Sequence, residues 1–92
     1  MMKRYMIERN IPGIGQHTVA EVRDAARKSN KALAKLAPDV QWVESYLAGD
    51  KTFCVYLAKD EETILEHARI SGFPADCITE IRRVIDPTTG RG

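Results

Sequence analysis

VQWVESYL over Val40–Leu47, the joint Ala48-Gly49-Asp50, and KTFCVYLA over Lys51–Ala58 decide the fold of this chain. Gly49-Asp50 between two runs rich in β-branched and aromatic residues reads as the turn of a hairpin. Successive side chains of a strand point to opposite faces, so each run sorts into two sets. Val43, Leu47, Phe53, Val55 and Leu57 form an ordinary apolar set, expected to be core. Trp42, Glu44, Tyr46, Thr52, Cys54 and Tyr56 form the other set. An indole, two phenols, a thiol and a carboxylate on one face are neither plain core nor plain solvated surface. That face is therefore the expected functional surface.

Outward from the hairpin, Lys3–Arg9 alternates apolar and charged residues and reads as a first strand. Ile11-Pro12-Gly13-Ile14-Gly15 is punctuated as a loop. Thr18-Val19-Ala20-Glu21 fits a capping box, with Thr18 as N-cap. Val22, Ala25, Ala26, Ser29, Ala32, Leu33 and Leu36 then recur at helical spacing until Pro38 stops the helix. Asp60 is a natural N-cap for a second helix with Ile64, Leu65 and Ala68 as its buried stripe. Gly72 is placed to close that helix. Cys77–Ile85 reads as a fourth strand, and the polar segment 87–92 is expected to fray.

The order is β-α-β-β-α-β, which predicts a single α+β domain over 1–92 of the ferredoxin-like, split βαβ kind. Right-handed crossovers put both helices on one face of a four-stranded antiparallel sheet. Ile81 and Ile85 join the expected helix-facing set. Glu8, Glu80 and Arg82 join Trp42, Glu44, Tyr46, Cys54 and Tyr56 on the open face. An open face bearing such aromatics calls for a cover. The expected cover is the same face of a second copy, giving a two-fold homodimer and the kind of inter-sheet cavity seen in α+β barrels.

Bulk properties narrow the function. Ninety-two residues with 14 basic and 13 acidic side chains carry a net charge of +1. No basic field marks a nucleic-acid or anionic-membrane surface. No apolar run approaches the roughly 18 residues of a membrane span, so neither nucleic acid nor membrane is an expected partner. The basic N-terminus lacks a following apolar stretch, so a cytoplasmic location is expected. Cys54 and Cys77 are then free thiols. Gly13-Ile14-Gly15-Gln16-His17-Thr18 only begins a GxGxxG pattern, because Thr18 stands at the third glycine, and no nucleotide cofactor is expected.

On the open face, Cys54 with Glu44, Glu8 or Glu80 could ligate a borderline-soft metal, lined by Tyr46 and Tyr56. The competing reading is an interface in which aromatics pack and Glu–Arg pairs cross. It is favoured for Trp42 and Arg82, and lone strand cysteines usually act as small hydrophobes. Glu66-His67 lies at the flank of the second helix. Spacing alone makes His67 a boundary histidine rather than a ligand, and no second histidine completes HExxH. Arg27, Lys28, Lys31 and Lys35 read as the solvated face of the first helix.

The stretches MIERNIPGIG, Thr18-Val19-Ala20-Glu21, Gln41-Trp42-Val43-Glu44-Ser45-Tyr46, Phe53-Cys54-Val55-Tyr56, Glu66-His67-Ala68, Gly72-Phe73-Pro74 and Ile85-Asp86-Pro87-Thr88 together resemble a family of small proteins. That family is catalogued as a domain of unknown function and includes an actinobacterial nickel-binding protein with a ferredoxin-like fold. The resemblance implies a cytoplasmic dimer that binds nickel or another divalent transition metal. It draws attention to Trp42, Ser45, Tyr46, Cys54, Tyr56, Glu66 and His67. The metal-ligand candidates are thus Cys54, His67, Glu44 and Glu66, with Trp42, Tyr46 and Tyr56 lining the site. The alternative is a dimeric α+β barrel enzyme, monooxygenase- or isomerase-like, acting on a small hydrophobic substrate between the sheets. There His67 or Glu44 would be general base, and Tyr46 or Tyr56 the orienting donor. A third reading is an interaction module using the open sheet.

Overall fold

The computed structural model describes residues 1–91. Its elements are β1 (Lys3–Asn10), α1 (Val19–Leu36), β2 (Val40–Leu47), β3 (Lys51–Ala58), α2 (Glu61–Ser71) and β4 (Cys77–Ile81), with short 3-10 helices at Ile14–Gln16 and Pro87–Arg91. The four strands form one sheet in the order β2-β3-β1-β4, every pair antiparallel. This is the expected ferredoxin-like α+β arrangement. Both helices pack on one face of the sheet, where the core lies.

Local chemistry explains the boundaries. The Thr18 hydroxyl accepts from the Glu21 amide at 3.1 Å, and Glu21 accepts from the Thr18 amide at 2.9 Å, completing the capping box. The Thr18 bonds also hold the Glu21 carboxyl below its usual range. Asp60 caps α2 through the Thr63 amide and hydroxyl. Gly72 ends α2 at φ 81°, the left-handed conformation that favours glycine. β4 stops at Ile81, four residues short of the expected end, and Arg82–Asp86 are exposed. Asp86 accepts from the Thr88 amide and hydroxyl at the start of the 3-10 turn in the polar tail. Gly92 lies outside the described residues.

The Ile14–Gln16 turn sits tightly against the hairpin. The Gly15 amide donates to the Gly49 carbonyl at 3.0 Å, and a Cβ on Gly15 would collide with the Ala48 carbonyl oxygen. Gly15→Ala is therefore expected to lower stability by about 2 kcal/mol or more. Gly13→Ser, with open space around the same loop, supplies the control for crowding, although its φ of 76° adds its own strain. Urea denaturation of the two variants checks the effect, and a Gly15 variant as stable as wild type would refute it.

The structure reverses the assignment of strand faces. Cys54 and Tyr56, expected on the open face, are buried beneath the helices, as are Thr52 and Ala58. Phe53, Val55 and Leu57, expected to be core, lie on the open face. β1 sets the phase: Tyr5, Ile7 and Arg9 stand opposite Tyr56, Cys54 and Thr52, all on the helix side. In β4, Ile78 stands opposite Ile7 and packs on the core, so Glu80 takes the helix side and Ile81 the open side. Both were expected the other way round.

β2 follows neither phase throughout. Trp42 pairs with Tyr56, but Glu44 pairs with Val55, so Val43 is an extra residue in a β-bulge. Trp42, Ser45 and Leu47 consequently share the helix side, while Val43, Glu44 and Tyr46 share the open side. The Trp42 indole N–H donates to the Ser45 hydroxyl at 2.9 Å across the bulge. In α2, Ile64 is buried as expected, but Leu65 is half-exposed, and His67 and Ser71 complete the buried stripe. The stripe is displaced because these positions recur at i, i+3 and i+7.

Candidate functional site

The helix side holds a polar cluster inside an apolar shell. β3 presents Tyr56 and Cys54, β1 presents Arg9, α1 presents Ser29 and α2 presents His67. His67 is 1% exposed, and its Nε2 lies 3.1 Å from the Ser29 hydroxyl. Its ring stands 5.3 Å from that of Tyr56, tilted by 54°. Burial, helped by the Arg9 charge, pushes the His67 pKa down to about 4, so the imidazole is neutral at pH 7. The Nδ1 atom is buried without a hydrogen-bond partner among the described residues. Burial likewise raises the Tyr56 phenol pKa.

Arg9 is the unexpected member. It is 3% exposed, and its guanidinium lies 5.6 Å from the Tyr56 ring centre. The contact with the ring face supplies some stabilisation. Its Nε and Nη2 have no hydrogen-bond partner among the described residues. The alternation Tyr5, Ile7, Arg9 carried the signal, because Arg9 has the same parity as two core residues.

The open face is different. Met6, Val55, Val43 and Ile81 floor a shallow groove with Arg4, Glu44, Tyr46 and Val84 around it. The Tyr46 hydroxyl donates to the Glu44 carboxylate, which holds the phenol above its usual pKa. Glu8 pairs across the sheet with Lys51 at 3.4 Å. Glu66 points away from both sites and pairs with Arg69, which lowers the Glu66 pKa.

The structure therefore separates the proposed ligands. Cys54 and His67 share the helix side, Glu44 lies on the open face, and Glu66 lies on the outer side of α2. Trp42 and Tyr56 line the helix side, whereas Tyr46 lies on the open face. No group of three or more His, Cys, Asp or Glu side chains among the described residues is placed to hold a metal ion. Of the ligand candidates, the helix side gathers only Cys54 and His67, beside an uncompensated guanidinium that repels a dication. Those residues do not fit a divalent metal.

The pattern of the SCO4226-like family, described as nickel-responsive proteins, matches residues 5–81. The chain belongs to this family. Among solved structures, the crystal structure of SCO4226 from Streptomyces coelicolor A3(2) superposes with a TM-score of 0.75. The alignment covers 89% of this chain and 99% of that one at 15% identity, which shows a common fold. No curated protein compared with the chain matches it. No helix among the described residues is long and apolar enough to cross a membrane.

Proposed function

We propose that this member of the nickel-responsive family is a cytoplasmic homodimer, joined through the open sheet face, that binds a divalent transition metal, with nickel the first candidate. The family match over residues 5–81 is the observation that carries the metal reading. The groove floored by Met6, Val43, Val55 and Ile81 supports the dimer, because a second copy would remove that apolar surface from water. Two unpaired cysteines are consistent with a reducing compartment.

Electrostatics decide where to seek the metal. Arg9 makes the helix side hostile to a dication, whereas the open face carries Glu44 and Glu8. Glu44 is therefore the ligand candidate taken forward, with the remaining coordination positions supplied by water or by the second copy. Nickel titration by calorimetry, with elemental analysis of tag-free protein, provides the test. Glu44→Gln is expected to weaken nickel binding by about tenfold or more, as loss of a ligating carboxylate should. Cys54→Ser and His67→Ala are expected to bind nickel as wild type does. The opposite ranking would move the metal to the helix side. In parallel, light scattering is expected to give a dimer for wild type and a monomer for Phe53→Glu, which sets a second carboxylate opposite Glu8.

A further inference from the structure

A cavity of about 100 Å³ lies between the amino-terminal half of α1, the Ile14–Gln16 turn and the helix side of the sheet. Its walls are mainly apolar: Ile14, Val22, Ala25, Trp42 and Phe73. The short side chain of Ala25 leaves the space open. Arg9 also lines it. This guanidinium is nine-tenths buried or more, has two nitrogens without hydrogen-bond partners, and forms no ion pair with a carboxylate among the described residues. An unpaired buried charge costs several kcal/mol, a penalty that an incoming counter-charge relieves.

We propose that this cavity binds a small organic monocarboxylate with an apolar body, its carboxylate held by Arg9. A guanidinium presents parallel N–H donors that match the two oxygens of a carboxylate. Nε and Nη2 are unpartnered but covered, so the guanidinium turns toward the cavity to take the carboxylate. The apolar walls reject a fully hydrated inorganic anion, because nothing there replaces its remaining water contacts. They suit an aromatic or short aliphatic body packed against Trp42. Ser45 and Thr52 also line the space. The ligand thus enters on the face opposite the metal and dimer surface proposed above, and the two readings stand or fall separately.

The chain has one tryptophan, Trp42, so its fluorescence reports occupancy of this cavity directly. Benzoate and hexanoate are the probes, benzamide the uncharged analogue of the first, and inorganic phosphate the apolar-free control. Both carboxylates are tested by fluorescence and by calorimetry on metal-free protein. At least one is expected to bind, with benzamide about tenfold or more weaker than benzoate where benzoate binds, because a hydrogen-bonded charge pair is lost. Phosphate is expected to leave Trp42 emission unchanged.

Arg9→Gln is expected to lower carboxylate affinity by about tenfold or more, and Ala25→Leu, which fills the cavity without touching the charge, to abolish binding. Ala25→Leu keeps the test decisive if Arg9→Gln does not fold, with circular dichroism confirming its structure. The proposal is overturned if neither carboxylate binds at concentrations up to about 10 mM. It is equally overturned if benzamide matches benzoate, or if folded Ala25→Leu binds like wild type.

Discussion

Ile7→Ala is expected to lower the unfolding free energy by about 3–4 kcal/mol and the melting temperature by about 15 °C or more. Ile7 is fully buried in β1, a strand with a neighbour on either side, and faces Cys54 in β3 and Ile78 in β4. Removing its three outer carbons loses their transfer free energy and leaves a void that two flanking strands cannot close. A 92-residue domain has on the order of 5–14 kcal/mol in total, so this loss is a large fraction of it. Leu65→Ala is the contrast. Leu65 is 50% exposed, and its truncation is expected to change stability by no more than about 0.5 kcal/mol. Urea titration of both variants measures the difference. Similar losses at the two positions would contradict the burial described here.

The second large effect is a pH dependence centred on His67. Its folded pKa of about 4 lies below the ordinary histidine value of 6.5. Above pH 6.5 the ring is neutral in both folded and unfolded chains, and the difference contributes nothing to pH dependence. As pH falls through 6.5, the unfolded chain takes up a proton that the native chain refuses. Stability therefore declines from pH 6.5 to about 4 by about 3 kcal/mol, then levels as the native ring also protonates. His67→Gln removes this contribution. Denaturation at a series of pH values is expected to give a wild-type curve steeper than the variant's within that window. Parallel curves would show that the ring is not held neutral. The two proteins share every other ionisable group, so those contributions cancel in the comparison.

The elements were legible in the sequence because their signals are local. Thr18 and Glu21 cap α1, Asp60 caps α2, and Gly72 closes it as their residue types require. The hairpin turn at Gly49-Asp50 joins two runs whose β character is unmistakable. What alternation could not supply was a sign. In KTFCVYLA both parities are apolar enough to be buried, so hydropathy alone does not choose between them. Assigning Phe53, Val55 and Leu57 to the core was therefore reasonable from hydropathy and wrong in space. The sign was present in β1, where Arg4, Met6 and Glu8 alternate with Tyr5, Ile7 and Arg9, but a charged end on each set obscured it.

The candidate site was less legible for the same reason. Cys54, Tyr56, Trp42 and His67 do gather, yet beneath the helices instead of on the open sheet. Ser29 was visible only as one member of an apolar stripe, and Arg9 only as the polar end of a strand. A buried cation is recognised through what fails to pair with it, and that requires distances between elements far apart in the chain. Glu66 shows the converse. Its neighbour Arg69 lies one turn away on the same helix, a pairing the sequence permits at once but which nothing local prefers over a ligand role.

The extra residue at Val43 gives β2 two inheritances. Before it, the strand shares the parity that sends Trp42 inward; after it, the parity is inverted, so Ser45 goes inward and Glu44 and Tyr46 outward. Substitutions along this strand can drift independently on either side of the step. Loss of the Val43 codon would leave every one of those orientations in place, because Trp42 and Glu44 already pair with the adjacent residues Tyr56 and Val55 and the deletion would simply restore an unbroken ladder. β2 is thus more tolerant of a change of length at this step than beyond it, where losing Ser45 with the bulge kept would carry Tyr46 inward and Leu47 outward.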